Sequence, residues 1–123
     1  MVSARPLPSD EITMISNLLG ALEPFFGLSG RLPARAVQAF LLVAAHEGES
    51  VDDYARRARM SANTMSRNLA DISEHNRYNE DGYSLVIRRE NPLNRRQREY
   101  RLSEKGRALA RRIAKSLGKV PSA

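Results

Sequence analysis

Apolar residues recur along the chain at two periods, helical up to about residue 74 and again after 103, alternating in between. Ser9 can cap a first helix, with Asp10 and Glu11 at its positive end. Over 10–23 two apolar rows, Ile12, Ile15, Leu19, Leu22 and Met14, Leu18, Ala21, Phe25, adjoin and cover roughly half the circumference. A helix packed only on its own small domain needs a narrower stripe. The surplus face predicts a subunit contact through Ile12, Ile15, Leu19 and Leu22, although a helix buried deep in the monomer has the same pattern. Pro24 predicts an end or a kink, and residues 27–33 a turn region. Residues 34–46, ARAVQAFLLVAAH, are apolar nearly all round and predict a central buried helix that ends with Gly48 as its C-cap.

The next two segments are short. Ser50 and Asp53 form a capping-box pair, and Val51, Tyr54, Ala55 and Ala58 follow at helical spacing, leaving Arg56, Arg57 and Arg59 outward. Met60 and Ser61 break this pattern. Ser61 caps another helix running to about 74, with Met65, Leu69 and Ile72 as its inward row. Two short helices joined by a tight turn predict a helix-turn-helix.

Residues 75–83 are polar and turn-prone, with Asp81-Gly82 the sharpest turn signal. The period then changes to two. Leu85 and Ile87 alternate with Val86 and Arg88, and Tyr100 and Leu102 pair with them across an arginine-rich loop. Ser103 caps a last helix to about 117, with Gly106, Leu109, Ala110, Ile113, Ala114 and Leu117 along one row; Gly118 and Pro121 stop it. The fold class is mainly α with a small β-hairpin (α+β), a winged helix-turn-helix. The expected division is a flexible arm at 1–8, a dimerising helix at 9–28, the winged domain at 32–117 and a flexible tail at 118–123.

Charge adds to this picture through its placement. The 123 residues carry a net +6, but residues 1–50 hold three basic and five acidic side chains, whereas residues 51–123 hold 17 and 9. The excess lies where the helix-turn-helix and hairpin lie, and most of it is arginine, whose planar fork matches phosphate oxygens and guanine edges. Without cysteine there is no disulfide or thiolate zinc site. No apolar run reaches a membrane span and no signal-peptide pattern opens the chain, so a cytoplasmic protein with no membrane partner is expected.

The second helix of a helix-turn-helix enters the major groove and meets base edges near its N-terminus. Asn63 can bond adenine N6 and N7, and Arg67 can fork onto guanine O6 and N7. Ser61, Thr64 and Ser66 are short donors suited to flanking phosphates, and the free N–H groups at the Ser61 end favour an anion. A solvated helix face with a serine cap has the same composition. The hairpin tips the balance: Arg95 and Arg96 at its tip suit a minor groove, and Arg88, Arg89 and Arg98 can meet phosphates. Protection of an edge strand by charge accounts for one or two such residues, not five. His46 and His75 have no metal-ligand spacing, the four tyrosines form no stacking platform, and no catalytic constellation is present, so neither an enzyme nor a cofactor is expected. The last helix, with Arg107, Arg111, Arg112 and Lys115, could touch an acidic membrane, but packing on the domain is the simpler reading.

From Leu32 to Ile113 the chain resembles the multiple-antibiotic-resistance regulator (MarR) family of winged-helix transcription factors. The resemblance is carried by VDDYARRARMSANTMSRNLADI and, more specifically, by LVIRRENPLNRRQREYRLSEKGRALARRI. It implies a homodimer on pseudo-palindromic double-stranded promoter DNA, often a repressor, with recognition helices in major grooves and wing arginines in minor grooves. Three features depart from the family pattern. Asn91 and Asn94 stand where the family's wing carries acids, which leaves Arg95 uncompensated. The 75–83 link is long, and the last helix stops near Leu117, which throws dimerisation onto residues 10–28. The same residues also fit a DNA-binding accessory factor of a mobile element, or a winged helix used for protein–protein contact. No small-molecule effector is specified by the sequence.

Overall fold

The computed structural model describes residues 6–28, 32–74 and 82–118, without the side chains of Arg95 and Arg96. Expectations for 1–5, 29–31, 75–81 and 119–123, His75 and Tyr78 among them, lie outside the described residues. The order is α1 (Ser9–Leu28), α2 (Ala34–Ala45), α3 (Val51–Ala58), α4 (Ala62–Asp71), β1 (Val86–Asn91), β2 (Asn94–Leu102) and α5 (Glu104–Leu117). β1 and β2 form a two-stranded antiparallel hairpin. The winged helix-turn-helix predicted from the patterning is therefore the observed architecture.

α1 runs past Pro24 to Leu28 instead of ending near 23. The reason is burial beyond the proline. Phe25 is closed off from solvent and meets Phe40 of α2 edge to face, with ring centroids 5.7 Å apart. An interior proline costs about 3 kcal/mol and full burial of a phenylalanine returns about 1.5–3 kcal/mol, so the two nearly offset.

α2 supplies Ala36, Ala39, Phe40 and Val43 to the core, which continues through Tyr54, Met65, Leu69, Ile72, Leu85, Val86, Tyr100, Leu102, Leu109 and Ile113. The expectation of burial all round needs correction. Leu41 is 42% exposed and Ala45 is exposed, because α3, α4, β2 and α5 pack around the rest of α2 and leave that strip open. The C-cap is His46, whose N–H reaches the carbonyls of Leu42 and Val43. Gly48 lies in the following turn at φ 89°, a left-handed value that glycine adopts without strain. Its N–H donates to Tyr100 O at 2.8 Å, and Tyr100 N–H donates to Glu49 O at 3.0 Å, so this turn adds a short bridge to the outside of β2.

α3 begins with the predicted capping box: Ser50 Oγ accepts from Asp53 N–H and the Asp53 carboxylate accepts from Ser50 N–H. α4 stops at Asp71, three residues short of expectation. Ile72 turns inward there, and its carbonyl accepts from both Leu85 and Val86 N–H, which ties the helix end to the start of the hairpin.

The hairpin's inward set also differs from simple alternation. Val86 is buried opposite Leu102, whereas Ile87 is 44% exposed opposite Arg101. Leu85 precedes the strand and is buried by its bonds to the end of α4, so the alternation begins one residue later than its sequence position implies.

α5 is capped by Ser103, whose Oγ accepts from Gly106 N–H and donates to Ser84 O at 2.6 Å. Gly106 comes so close to the chain entering β1 that a Cβ built there would sit 1.9 Å from Leu85 O. Ala114 and Leu117, at the far end of the predicted row, are exposed.

Candidate nucleic-acid interface

α4 presents Ala62, Asn63, Thr64, Ser66 and Arg67 to solvent while Met65, Asn68 and Leu69 are buried. Asn63 and Arg67, four residues apart, share one helix face. At the helix start Ser61 Oγ accepts from Thr64 N–H at 3.1 Å and donates its single proton to Thr64 Oγ1 at 2.9 Å. The contact holds the two hydroxyls side by side at the exposed start of α4. The first helical N–H groups point the same way, where an anion is favoured.

The hairpin is held against this helix by backbone bonds. Ser84 N–H donates to Ser73 O, and Leu85 and Val86 N–H to Ile72 O. Between the two elements lies a cleft of about 410 Å³ lined by Ser66, Ala70 and Glu74 on one side and Ile87, Arg88 and Tyr100 on the other. Ser66 and Arg88, both predicted site residues, thus share one concave surface. Ile87 joins them as an exposed apolar neighbour that alternation alone had turned inward.

Arg88, Arg89 and Arg98 are all exposed on the hairpin. They are not equivalent. Arg89 Nε donates to Glu99 Oε1 at 2.9 Å across the strands, and Arg101 Nε donates to the same oxygen at 3.1 Å. These two guanidinium groups, and only then desolvation in the opposite direction, set the Glu99 carboxyl below the ordinary glutamate value. Glu99 therefore clamps both Arg89 and Arg101 from the second strand of the hairpin. Its role is visible in the sequence only once the Arg89–Glu99 register is known. Arg88 lies opposite Tyr100, whose phenol is raised by burial against a smaller opposing effect of Arg88. Side chains of Arg95 and Arg96 fall outside the described residues.

Behind the hairpin a second set of charges ties the elements together. Burial pushes the Glu47 carboxyl up, but the Leu102 N–H and the Arg107 guanidinium, which it accepts at 2.9 and 2.8 Å, outweigh burial and leave it lowered. Glu49 accepts from Arg57 Nε and from one terminal Arg57 nitrogen, each at 2.7 Å, and Arg56 pairs with Asp53. Arg56 and Arg57 of α3 and Arg107 of α5 are thus partly neutralised by nearby acids. Among the described residues no group of three His, Asp or Glu could hold a metal ion, and no helix is long and apolar enough to cross a membrane.

No protein-family model and no curated protein matches the sequence. Solved structures do match in three dimensions. A mutant of S. aureus MepR bound to an oligodeoxyribonucleotide superposes with a TM-score of 0.62 at 15% identity, over 85% of this chain and 67% of that one. MarR gives 0.59 at 20% identity, over 86% and 70%. The transcriptional repressor CouR, bound to a 23-mer DNA duplex, gives 0.56 at 17% identity, over 90% and 71%. At such identities the likeness is one of fold, and by fold the chain is a winged helix-turn-helix of the MarR type.

Proposed function

We propose that the protein is a transcriptional regulator, a dimeric repressor that binds duplex DNA with α4 in the major groove and the β1–β2 wing in the adjacent minor groove. The observation that carries this reading is the shared cleft. It joins the exposed face of α4, through Ser66, to the cationic hairpin, through Arg88, so one nucleic-acid backbone can run between base-reading and groove-filling elements. Asn63 and Arg67 read base edges, Ser61, Thr64 and Ser66 meet phosphate, and Arg88, Arg89, Arg95, Arg96 and Arg98 supply the field. The DNA-bound state of the MepR and CouR neighbours supports the same arrangement.

A second copy of the chain covers α1 in this reading. Ile12, Ile15 and Leu19 are exposed, with Leu19 at 60%, and Met14 and Leu18 extend the same apolar surface; Leu22 is half-buried and anchors the helix to its own domain. Leaving so many large apolar side chains in water is unfavourable by about 25 cal/mol per Å². The protein acts by binding and carries no catalytic chemistry. Selection of bound fragments from random duplex DNA, followed by footprinting, tests the proposal: one enriched pseudo-palindrome is expected, and recovery of unrelated sequences would overturn sequence-specific regulation.

A further inference from the structure

The tip of the wing carries a residue that charge does not explain. Leu93 is 97% exposed, and the next most exposed large apolar residue among those described, Phe26, reaches 61%. Leu93 is also held in place. Its N–H donates to Asn91 Oδ1 at 2.8 Å, and Asn91 pairs with Asn94 across the two-residue loop Pro92-Leu93. The pairing then shifts: Glu90 faces Arg98, so β2 has residues 95–97 where β1 has none. Such a bulge kinks and re-aims a strand end. The tip is thus a braced turn presenting proline and leucine outward, with arginines behind it in sequence at 95, 96 and 98.

We propose that Leu93 is an apolar wedge that enters the minor groove and packs against, and partly unstacks, one base step. This rests on the reading of the protein as a duplex-DNA binder. Leucine and proline side chains serve as wedges in minor-groove proteins, where they kink the duplex and let more protein surface reach it. The surrounding arginines fit this occupant rather than an apolar protein surface, because they neutralise the phosphates that flank an entered groove. Water around a fully exposed leucine is released on entry, so the wedge adds affinity that salt does not screen.

The test uses the full chain with a duplex selected from random DNA. Affinity is measured across a salt series, and bending by the mobility of circularly permuted fragments. Leu93→Ala is expected to bind about ten-fold more weakly, with the same salt slope and a smaller bend, while Leu93→Phe retains the bend. Equal affinity and bend for wild type and Leu93→Ala would overturn the wedge and leave DNA binding standing. If the wild type binds no duplex, the DNA reading fails and the wedge with it. If Leu93→Ala alters only self-association in sedimentation, the tip belongs to a protein contact and the proposal is wrong.

Discussion

Tyr54 on α3 meets Tyr100 on β2 edge to face, with ring centroids 6.4 Å apart, and its hydroxyl donates to His46 O at 2.6 Å. The Tyr100 carbonyl lies 3.4 Å from the same hydroxyl, and Glu49 N–H points at it from 3.4 Å. One buried phenol thus joins the end of α2, the first helix of the helix-turn-helix and the outer strand of the wing.

Replacing Tyr54 by Phe should lower stability by about 1–3 kcal/mol, since the half-buried His46 carbonyl loses its donor. The pH dependence has a defined sign. Burial raises the Tyr54 phenol from 10.0 to about 12. A folded pKa above the unfolded value gives stability that is fully present below pH 10 and lost as pH rises toward 12. Thermal melts of Tyr54→Phe above pH 10 should fall less steeply than wild type; identical slopes would remove Tyr54 from the linkage.

Gly106→Ala should be more damaging than its size implies. The added carbon would sit 1.9 Å from Leu85 O, and that carbonyl already accepts from Ser103 N–H. Relief requires moving α5 away from the hairpin, at a cost of about 3 kcal/mol or more. Urea unfolding measures it, and a loss below about 1 kcal/mol would show that the junction yields easily.

Arg67→Ala should cost roughly 1–3 kcal/mol of binding and relax the preference at one base position. Repeating the selection with the variant reads this directly. An unchanged consensus would transfer base reading to other residues of α4.

Leu19→Glu places a charge in the exposed apolar face of α1 without disturbing Ala21 or Phe25, which hold the helix to its domain. Sedimentation should then give monomers. A dimer that persists would move the contact away from this face.

Much of this architecture was legible because local chemistry and tertiary packing agree. Ser50, Ser61 and Ser103 cap the helices they were expected to cap, and Met65, Leu69 and Ile72 face the core. The misreadings arose where packing overrides a local rule. Phe25 carries α1 past Pro24, and the Leu85 and Val86 N–H bonds to the Ile72 carbonyl pull Leu85 into the core and shift the strand's phase. At the site, the exposed face of α4 followed from its helical period. The Glu99 clamp and the role of Ile87 did not, because both depend on cross-strand register, which a loop of arginines does not specify.

A grip of the wing and α4 on duplex DNA through its phosphates makes binding depend on salt. Binding of a selected duplex is measured from about 50 to about 200 mM salt for wild type and for the double variant Arg95→Ala, Arg96→Ala. Wild-type affinity should fall steeply, and the variant should bind more weakly with a shallower slope, by about one to two phosphate contacts. A wild-type affinity indifferent to salt, or equal slopes for the two proteins, would show that the wing and α4 do not hold DNA by its phosphates.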